Sequence, residues 1–310
     1  MNEKHHTSQN NLISILDLSR SQIENIITTA AKFKNGEHSE SLKNKIIACC
    51  FFEASTRTRL SFETAILKLS GKVIGFADAS STSCVKKFES LSDTIKIISG
   101  YADAIVMRHP GNDALKLAAK TTDIPVINAG DGSNEHPTQT LIDLFCMHEI
   151  VGKLDGINLV LFGDLLHGRA IHSLILAALI FKINLFFVAP KGFKPDANML
   201  QKLTDNAVRF SIHDNINDVL PKADIVYLTR PQVERFSKDI QADYKLDLNT
   251  VRKLAKPTMK ILHPLPRQQE LSENFDDSHY AYYFTQAKNG VYVRQALLTF
   301  IFENCKNAND

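Results

Sequence analysis

Residues 51 to 63, F-F-E-A-S-T-R-T-R-L-S-F-E, crowd three hydroxyls and two guanidiniums into five successive positions: Ser55, Thr56, Arg57, Thr58 and Arg59. The preceding K-I-I-A-C-C-F-F reads as a buried strand. The segment after the cluster reads as a helix, with Phe62, Ile66 and Leu69 at i, i+4 and i+7. A strand-to-helix junction needs one cap, which a single Ser or Thr hydroxyl supplies. Two further hydroxyls and a fixed-charge fork exceed that need. In a first helical turn, Ser55, Thr56, Arg57 and Thr58 would offer orphan backbone N–H groups, hydroxyls and a guanidinium to one anion, and phosphate fits that set. Arg59 has a structural alternative, an ion pair with Glu63 one turn further on.

Other strand ends carry matching groups. M-R-H-P sets Arg108 just past an apolar run, and G-D-G-S-N-E-H-P-T-Q-T places His136 and Gln139 at the start of a helix. Later, G-D-L-L-H-G-R-A presents Arg169, T-R-P-Q presents Arg230 and Gln232, and K-I-L-H is followed by the stiff turn P-L-P-R. The segment ending in Arg169 approaches the G-x-x-x-x-G-K-[ST] phosphate loop. Arg169 stands at the Lys position, however, and Ala170 removes the metal-binding hydroxyl, which argues against nucleotide hydrolysis. No G-x-G-x-x-G occurs, which argues against a dinucleotide-dependent dehydrogenase. No nucleophile-base pair and no His, Cys or carboxylate set at metal-ligand spacing accompanies these cations, so no metal and no cofactor is expected. Arg57 and Arg108 on one side, with Arg169 and Arg230 on the other, suit a phosphorylated metabolite and a carboxylate-bearing one. The implied chemistry is direct group transfer, driven by positioning and electrostatics.

The elements that must position these groups emerge from periodicity. Short apolar runs at 45–53, 72–78, 104–109 and 125–130 alternate with helical patterns, and the alternation repeats at 158–163, 183–189, 208–212, 224–229 and 260–264. The expected fold class is therefore α/β: two doubly wound, Rossmann-like parallel-sheet domains, with every strand rich enough in Ile, Val and Phe for burial on both faces. A first helix at 19–34 is entered through the capping box of Ser19 and Gln22. A helix starting at Pro137, with Leu141, Leu144, Phe145 and His148 on one face, joins the domains. The apolar R-Q-A-L-L-T-F-I-F-E-N near the C-terminus calls for a docked helix, with the first domain as one place to dock. The expected division is 1–137 completed by 291–310, a bridging helix over 138–150, and a second domain over 151–290.

With 310 residues, 44% hydrophobic content and a formal net charge of +2, the chain can bury sizeable cores but has no global basic field, so nucleic acid is not an expected partner. The first eleven residues lack the apolar core of a signal peptide, and the longest apolar run, Leu174 to Phe181, is far short of the roughly 20 residues that span a bilayer. A cytoplasmic protein without membrane attachment is expected. The five cysteines, Cys49, Cys50, Cys84, Cys146 and Cys305, show no C-x-x-C spacing and read as small buried hydrophobes.

Taken in order, S-T-R-T-R-L-S-F-E, M-R-H-P, N-A-G-D-G-S-N-E-H-P-T-Q-T-L-I-D-L, G-D-L-L-H-G-R, T-R-P-Q and H-P-L-P-R resemble the catalytic chains of the aspartate carbamoyltransferase family, over nearly the whole chain. The resemblance implies transfer of the carbamoyl group of carbamoyl phosphate to the α-amine of L-aspartate, an early step of pyrimidine synthesis. It further implies that Ser55, Thr56, Arg57 and Thr58 bind the phosphate and that Arg108, His136 and Gln139 reach the carbonyl or carbamoyl end. The backbone carbonyls of Leu265 and Pro266 would accept from the amide, while Arg169, Arg230 and Gln232 would hold the aspartate carboxylates. Catalysis would rest on Arg57, Thr58, Arg108 and His136. The segment S-T-S-C-V-K-K-F-E-S, residues 81–90, resembles a loop through which a neighbouring subunit donates a Ser and a Lys, here Ser83 and Lys87, with Lys87 also reaching aspartate. That implies a homotrimer with shared sites and leaves room for regulatory chains as further partners. Phe88 stands where glycine is usual, a residue that disfavours positive φ and stiffens the loop.

Ornithine carbamoyltransferases share S-T-R-T-R and the fold, but carry H-C-L-P where this chain has H-P-L-P, and they lack the Arg230 and Gln232 setting. A catalytically silent relative acting as a scaffold would not need every motif residue, and this chain keeps them all.

Overall fold

Ser19 opens the first helix by reciprocal capping: its hydroxyl accepts from the Gln22 N–H at 3.3 Å, and the Gln22 side chain accepts from the Ser19 N–H at 2.8 Å. This helix, α1, runs Arg20–Lys34 and buries Ile23, Ile26, Ile27, Ala30 and Phe33 along one face. The computed structural model describes residues 11–82, 86–232 and 244–307. Ser83, Cys84 and Val85 of the 81–90 loop lie outside the described residues, as do residues 1–10.

The chain divides into two compact units, one formed by the chain up to Ile142 and again from Asn289, the other by Asp143–Lys288. The first unit takes the elements β1 (Ile46–Phe51), α2 (Thr56–Lys68), β2 (Lys72–Phe76), α3 (Leu91–Ser99), β3 (Ala104–His109), α4 (Ala114–Thr121) and β4 (Val126–Asp131). All four strands pair in parallel, in the order β2-β1-β3-β4. The second unit takes β5 (Asn158–Gly163), α6 (Arg169–Ala177), β6 (Asn184–Val188), α7 (Ala197–Asp205), β7 (Phe210–His213), β8 (Ile225–Thr229), α8 (Leu248–Leu254) and β9 (Lys260–Leu262). Its five-stranded parallel sheet has the order β7-β6-β5-β8-β9. Two long helices, α5 (Pro137–Val151) and α9 (Tyr283–Asn307), each contain a point where the chain passes from one unit to the other.

Each sheet has one place where the winding reverses. The chain leaves β1 for β2 on one side and later returns to β3 on the other; in the second sheet the reversal lies between β5 and β8. Loops at the carboxyl ends of strands flanking such a point splay apart and leave a crevice for ligand. Of the polar clusters in the sequence, residues 55–58, Arg108, Arg169 and Arg230 lie at these strand ends, whereas His136 and Gln139 follow β4.

Two expectations about burial need correction. The central strand β8 is buried on both faces, as is β4, an edge strand covered by the bridge of Leu12 to Ile127, but the edge strands β2 and β7 are largely half-buried or exposed. Each pairs on one side only and lies at the margin of its layer, so apolar composition did not translate into full cover. Helix α5 is also not a one-sided amphipath. Residues 141–147 are all buried, Asp143 included, whereas His148 is exposed. A helix that gives residues to two units is packed around its circumference through its middle turns.

From Asn289 onward α9 belongs to the first unit. The Arg294 guanidinium lies 4.7 Å from the centroid of the Phe62 ring, and the Ser41 and Thr299 hydroxyls are 2.9 Å apart. Cys49, Cys50 and Cys146 are buried, and burial pushes the Cys50 thiol up to about 12, so it stays a protonated hydrophobe at neutral pH. Among the described residues no helix is long and apolar enough to cross a membrane.

Candidate active site

Each unit carries its own set of candidate ligand-binding groups. In the first, β1 ends at Phe51 and hands over to α2, whose N-cap is Ser55 in an extended conformation (φ −159°, ψ 101°). The Ser55 side chain makes no capping hydrogen bond, and no acidic residue occupies the first turn of α2. Thr56 and Arg57 are exposed, Ser55 is half-buried and Thr58 is 7% exposed. A helix start that its N-cap side chain leaves uncapped, with no carboxylate in its first turn and with hydroxyls along it, is the arrangement that the junction sequence called for. Arg59 takes its structural role, with Nη1 2.9 Å from Glu63 Oε1.

Arg108 sits on the neighbouring strand, opposite Phe51 in the β1–β3 register. Its Nη2 donates to Glu53 Oε1 at 2.6 Å, and its side chain is only 13% exposed. Glu53 thus fixes the guanidinium of Arg108 beside the junction, a contact the sequence does not reveal because 55 positions separate the partners. One strand further, β4 leads to His136 and Gln139 at the start of α5. His136 is 6% exposed, and its Nδ1 lies 3.4 Å from the Thr138 hydroxyl. Its carbonyl accepts from the N–H groups of Gln139 and Thr140, which ties the residue to the first turn.

In the second unit Gly163 and Thr229 are register partners at the ends of β5 and β8. Gly163 has φ 121°, and a Cβ there would lie 2.5 Å from the Thr229 carbonyl oxygen, so the close approach of these strand ends requires glycine. Asp164, fully buried, ties the two loops together. Its Oδ1 accepts from the His167 N–H at 3.0 Å, and its Oδ2 accepts from the Gln232 N–H at 3.1 Å. Tyr244 adds a second tie, donating its hydroxyl to the Thr229 carbonyl at 2.6 Å and accepting from the Asp164 N–H at 3.1 Å. Burial pushes the Tyr244 phenol well above its ordinary range, which keeps it a donor.

These ties place the second set of cations. Arg169 is the first residue of α6 and is 8% exposed. Arg230 comes directly after β8, its Nη1 donating to the Pro231 carbonyl at 2.8 Å, and the Gln232 side chain donates to the Arg230 carbonyl at 3.1 Å. Leu265 and Pro266 lie beyond the end of β9 and are joined by a cis peptide bond. Lys87 is exposed and belongs to the first unit. Its neighbour Phe88 has φ 55° and is 93% exposed. Phenylalanine disfavours positive φ, yet the turn is left-handed with phenylalanine in it. A ring this exposed has no packing that would favour another path.

Reasoning from sequence missed Glu53, Asp164 and Tyr244. An acidic residue inside an anion-binding segment, as in F-F-E-A-S-T, was a signal for Glu53, and the Asp of G-D-L-L-H-G-R was one for Asp164. Nothing local marks Tyr244.

Comparison with known proteins bears on both sets. The carbamoyl-phosphate-binding domain model of aspartate and ornithine carbamoyltransferases matches residues 10–149, and the aspartate/ornithine-binding domain model of the same family matches residues 155–301. The chain belongs to the aspartate/ornithine carbamoyltransferase family. Within it, the chain is 48% identical to an aspartate carbamoyltransferase catalytic subunit of Chromobacterium violaceum, over 94% of this chain and 97% of that protein. It is 46% identical to an aspartate carbamoyltransferase catalytic subunit 2 of Shewanella halifaxensis, over 95% of this chain and 96% of that protein. Among solved structures, the catalytic subunit of M. jannaschii aspartate transcarbamoylase aligns with a TM-score of 0.87 at 39% identity, over 96% of this chain and 99% of that one. The Trypanosoma cruzi aspartate transcarbamoylase in complex with carbamoyl phosphate and aspartate aligns with a TM-score of 0.88 at 35% identity, over 94% of this chain and 97% of that one. Two parallel-sheet α/β units are thus shared with that family.

Proposed function

We propose that this carbamoyltransferase uses L-aspartate as its acceptor, converting carbamoyl phosphate and aspartate to N-carbamoyl-L-aspartate and phosphate, a step toward pyrimidines. The observation that supports this reading is the position of four arginines at the winding reversals of the two sheets: Arg57 after β1, Arg108 near the end of β3, and Arg169 and Arg230 after β5 and β8. The near half-identity to proteins named as aspartate carbamoyltransferases favours aspartate over ornithine.

In this reading the first unit is the carbamoyl phosphate domain. The α2 amides, Ser55, Thr56, Arg57 and Thr58 hold the phosphate, and Arg108, His136 and Gln139 contact the carbamoyl end. The second unit holds the carboxylates of aspartate through Arg169, Arg230 and Gln232, and the carbonyls of Leu265 and Pro266 accept from the carbamoyl amide. The free α-amine attacks the carbamoyl carbon, and negative charge grows on the carbonyl oxygen. Arg108, Thr58 and a neutral His136 acting as donor stabilise that charge more than they stabilise the ground state. The C–O bond to phosphate then breaks, and the departing phosphate takes the ammonium proton, so no protein base is required. The chain works as a homotrimer in which a neighbouring copy lends Ser83 and Lys87, with Lys87 contacting aspartate.

Two variants test the division of labour in a carbamoyl-transfer assay. Arg57→Ala is expected to raise KM for carbamoyl phosphate at least tenfold with little change for aspartate, and Gln232→Ala is expected to do the reverse. Parallel losses for both substrates in both variants would contradict it.

A further inference from the structure

The turn after β9 contains a buried ionisable pair to which the mechanism gives no part. The side chains of His263 and Glu270 are 0% and 1% exposed, and His263 Nε2 lies 3.0 Å from Glu270 Oε1. His263 Nδ1 accepts from the Leu265 N–H at 2.8 Å. That nitrogen's lone pair is engaged, so the ring proton sits on Nε2 and is donated to Glu270. The same Glu270 oxygen accepts from the Gln268 N–H at 2.9 Å, so the carboxylate gathers both arms of the turn. Burial alone would raise the Glu270 carboxyl, but the bonds from His263 and Gln268 outweigh it and hold the group below its ordinary value, as an acceptor. His263 is itself anchored: its N–H donates to Gln286 Oε1 at 2.8 Å, and Gln286 Nε2 donates to Asp143 Oδ1 at 2.7 Å.

This network acts on a backbone that needs fixing. Leu265 has φ 55°, a left-handed conformation that L side chains rarely adopt and that persists only where surroundings over-determine it. A trans peptide unit is planar, with its carbonyl directed opposite to its N–H. Drawing the Leu265 N–H onto His263 therefore turns the Pro264 carbonyl away from His263 and anchors the peptide plane on the N-terminal side of Leu265, from which the φ and ψ of Leu265 carry the chain to the Leu265 and Pro266 carbonyls.

We propose that His263, held by Glu270 as the Nε2–H tautomer, is a positioning residue that fixes these carbonyl acceptors and thereby the preference for an acyl phosphate bearing an amide. The proposal rests on the reading that Leu265 and Pro266 accept from the carbamoyl group. Acetyl phosphate has the same phosphate but carries a methyl where carbamoyl phosphate has N–H donors. Acceptors held in place are left unpaired by the methyl; acceptors free to turn away discriminate less.

The experiment compares wild type with His263→Phe, which fills the site without an acceptor, and His263→Asn, whose side-chain oxygen can still accept from the N–H two residues on. KM for carbamoyl phosphate and the inhibition constant of acetyl phosphate are read at saturating aspartate. We expect His263→Phe to weaken carbamoyl phosphate about tenfold while acetyl phosphate stays within about twofold, and His263→Asn to recover most of the preference. Equal weakening of both ligands in folded His263→Phe, or no recovery in His263→Asn, would overturn the proposal. A wild type that binds the two phosphates equally would instead remove the carbonyl reading on which it stands. Should His263→Phe not fold, 15N spectra of histidine-labelled wild type decide: an unprotonated Nδ1 at His263 supports the proposal, and a protonated one refutes it.

Discussion

Phe88 holds a left-handed turn that glycine would adopt without penalty, and its ring is almost wholly exposed. Since the path is already the one glycine would take, Phe88→Gly should leave kcat and the aspartate KM within about twofold. Phe88→Val, whose β-branch disfavours positive φ more strongly, should raise the aspartate KM through displacement of Lys87. Steady-state kinetics of the two variants check this. His136 is nearly buried at the start of α5, where one donor to a developing oxyanion is worth about 10²–10³ in rate. His136→Ala should lower kcat by that order at saturating substrates, and an unchanged turnover number would remove its polarising role. The residues proposed to meet the ligands were readable because their types are out of place in a core. Those that hold them were not, since Glu53 meets Arg108, and Asp164 meets Gln232, only through tertiary pairing.

Helix starts show why one residue type has two meanings. Ser19 caps α1 through a reciprocal box, whereas Ser55 at the start of α2 makes no capping bond. Ser19→Ala should cost about 1 kcal/mol in stability without altering kinetics. Ser55→Ala should leave Tm unchanged and raise KM for carbamoyl phosphate about tenfold. Thermal melts alongside kinetics separate the two cases. Strand positions were legible from apolar runs, and β3 and β5 begin and end where the sequence places them. The exposure of β2 and β7 was not, because order within a sheet is a property of the whole domain rather than of any one strand. The all-round burial of α5 escaped for the same reason. At β8, Tyr244→Phe would leave the Thr229 carbonyl and the Asp164 N–H without this partner. It should lower stability by about 1–3 kcal/mol and raise the aspartate KM more than that for carbamoyl phosphate.

At the scale of the molecule, the polypeptide builds two separately wound sheets and returns through α9 to finish the first unit. Alternation of strand and helix made the two-sheet architecture legible. Subunit sharing rests on the resemblance and on the 81–90 loop. If Lys87 is lent to a neighbouring copy, mixing Lys87→Ala chains with Arg57→Ala chains, at substrate concentrations so low that each variant alone turns over little, should restore part of the activity in hybrid trimers. Confirmed mixing without recovery would remove the shared site. The most direct measurement of the central claim is product analysis of the purified chain supplied with carbamoyl phosphate and either L-aspartate or L-ornithine. N-carbamoyl-L-aspartate and phosphate in equal amounts, with no turnover of ornithine, is the predicted result. Carbamoylation of ornithine, or phosphate release without carbamoylated aspartate, would contradict it.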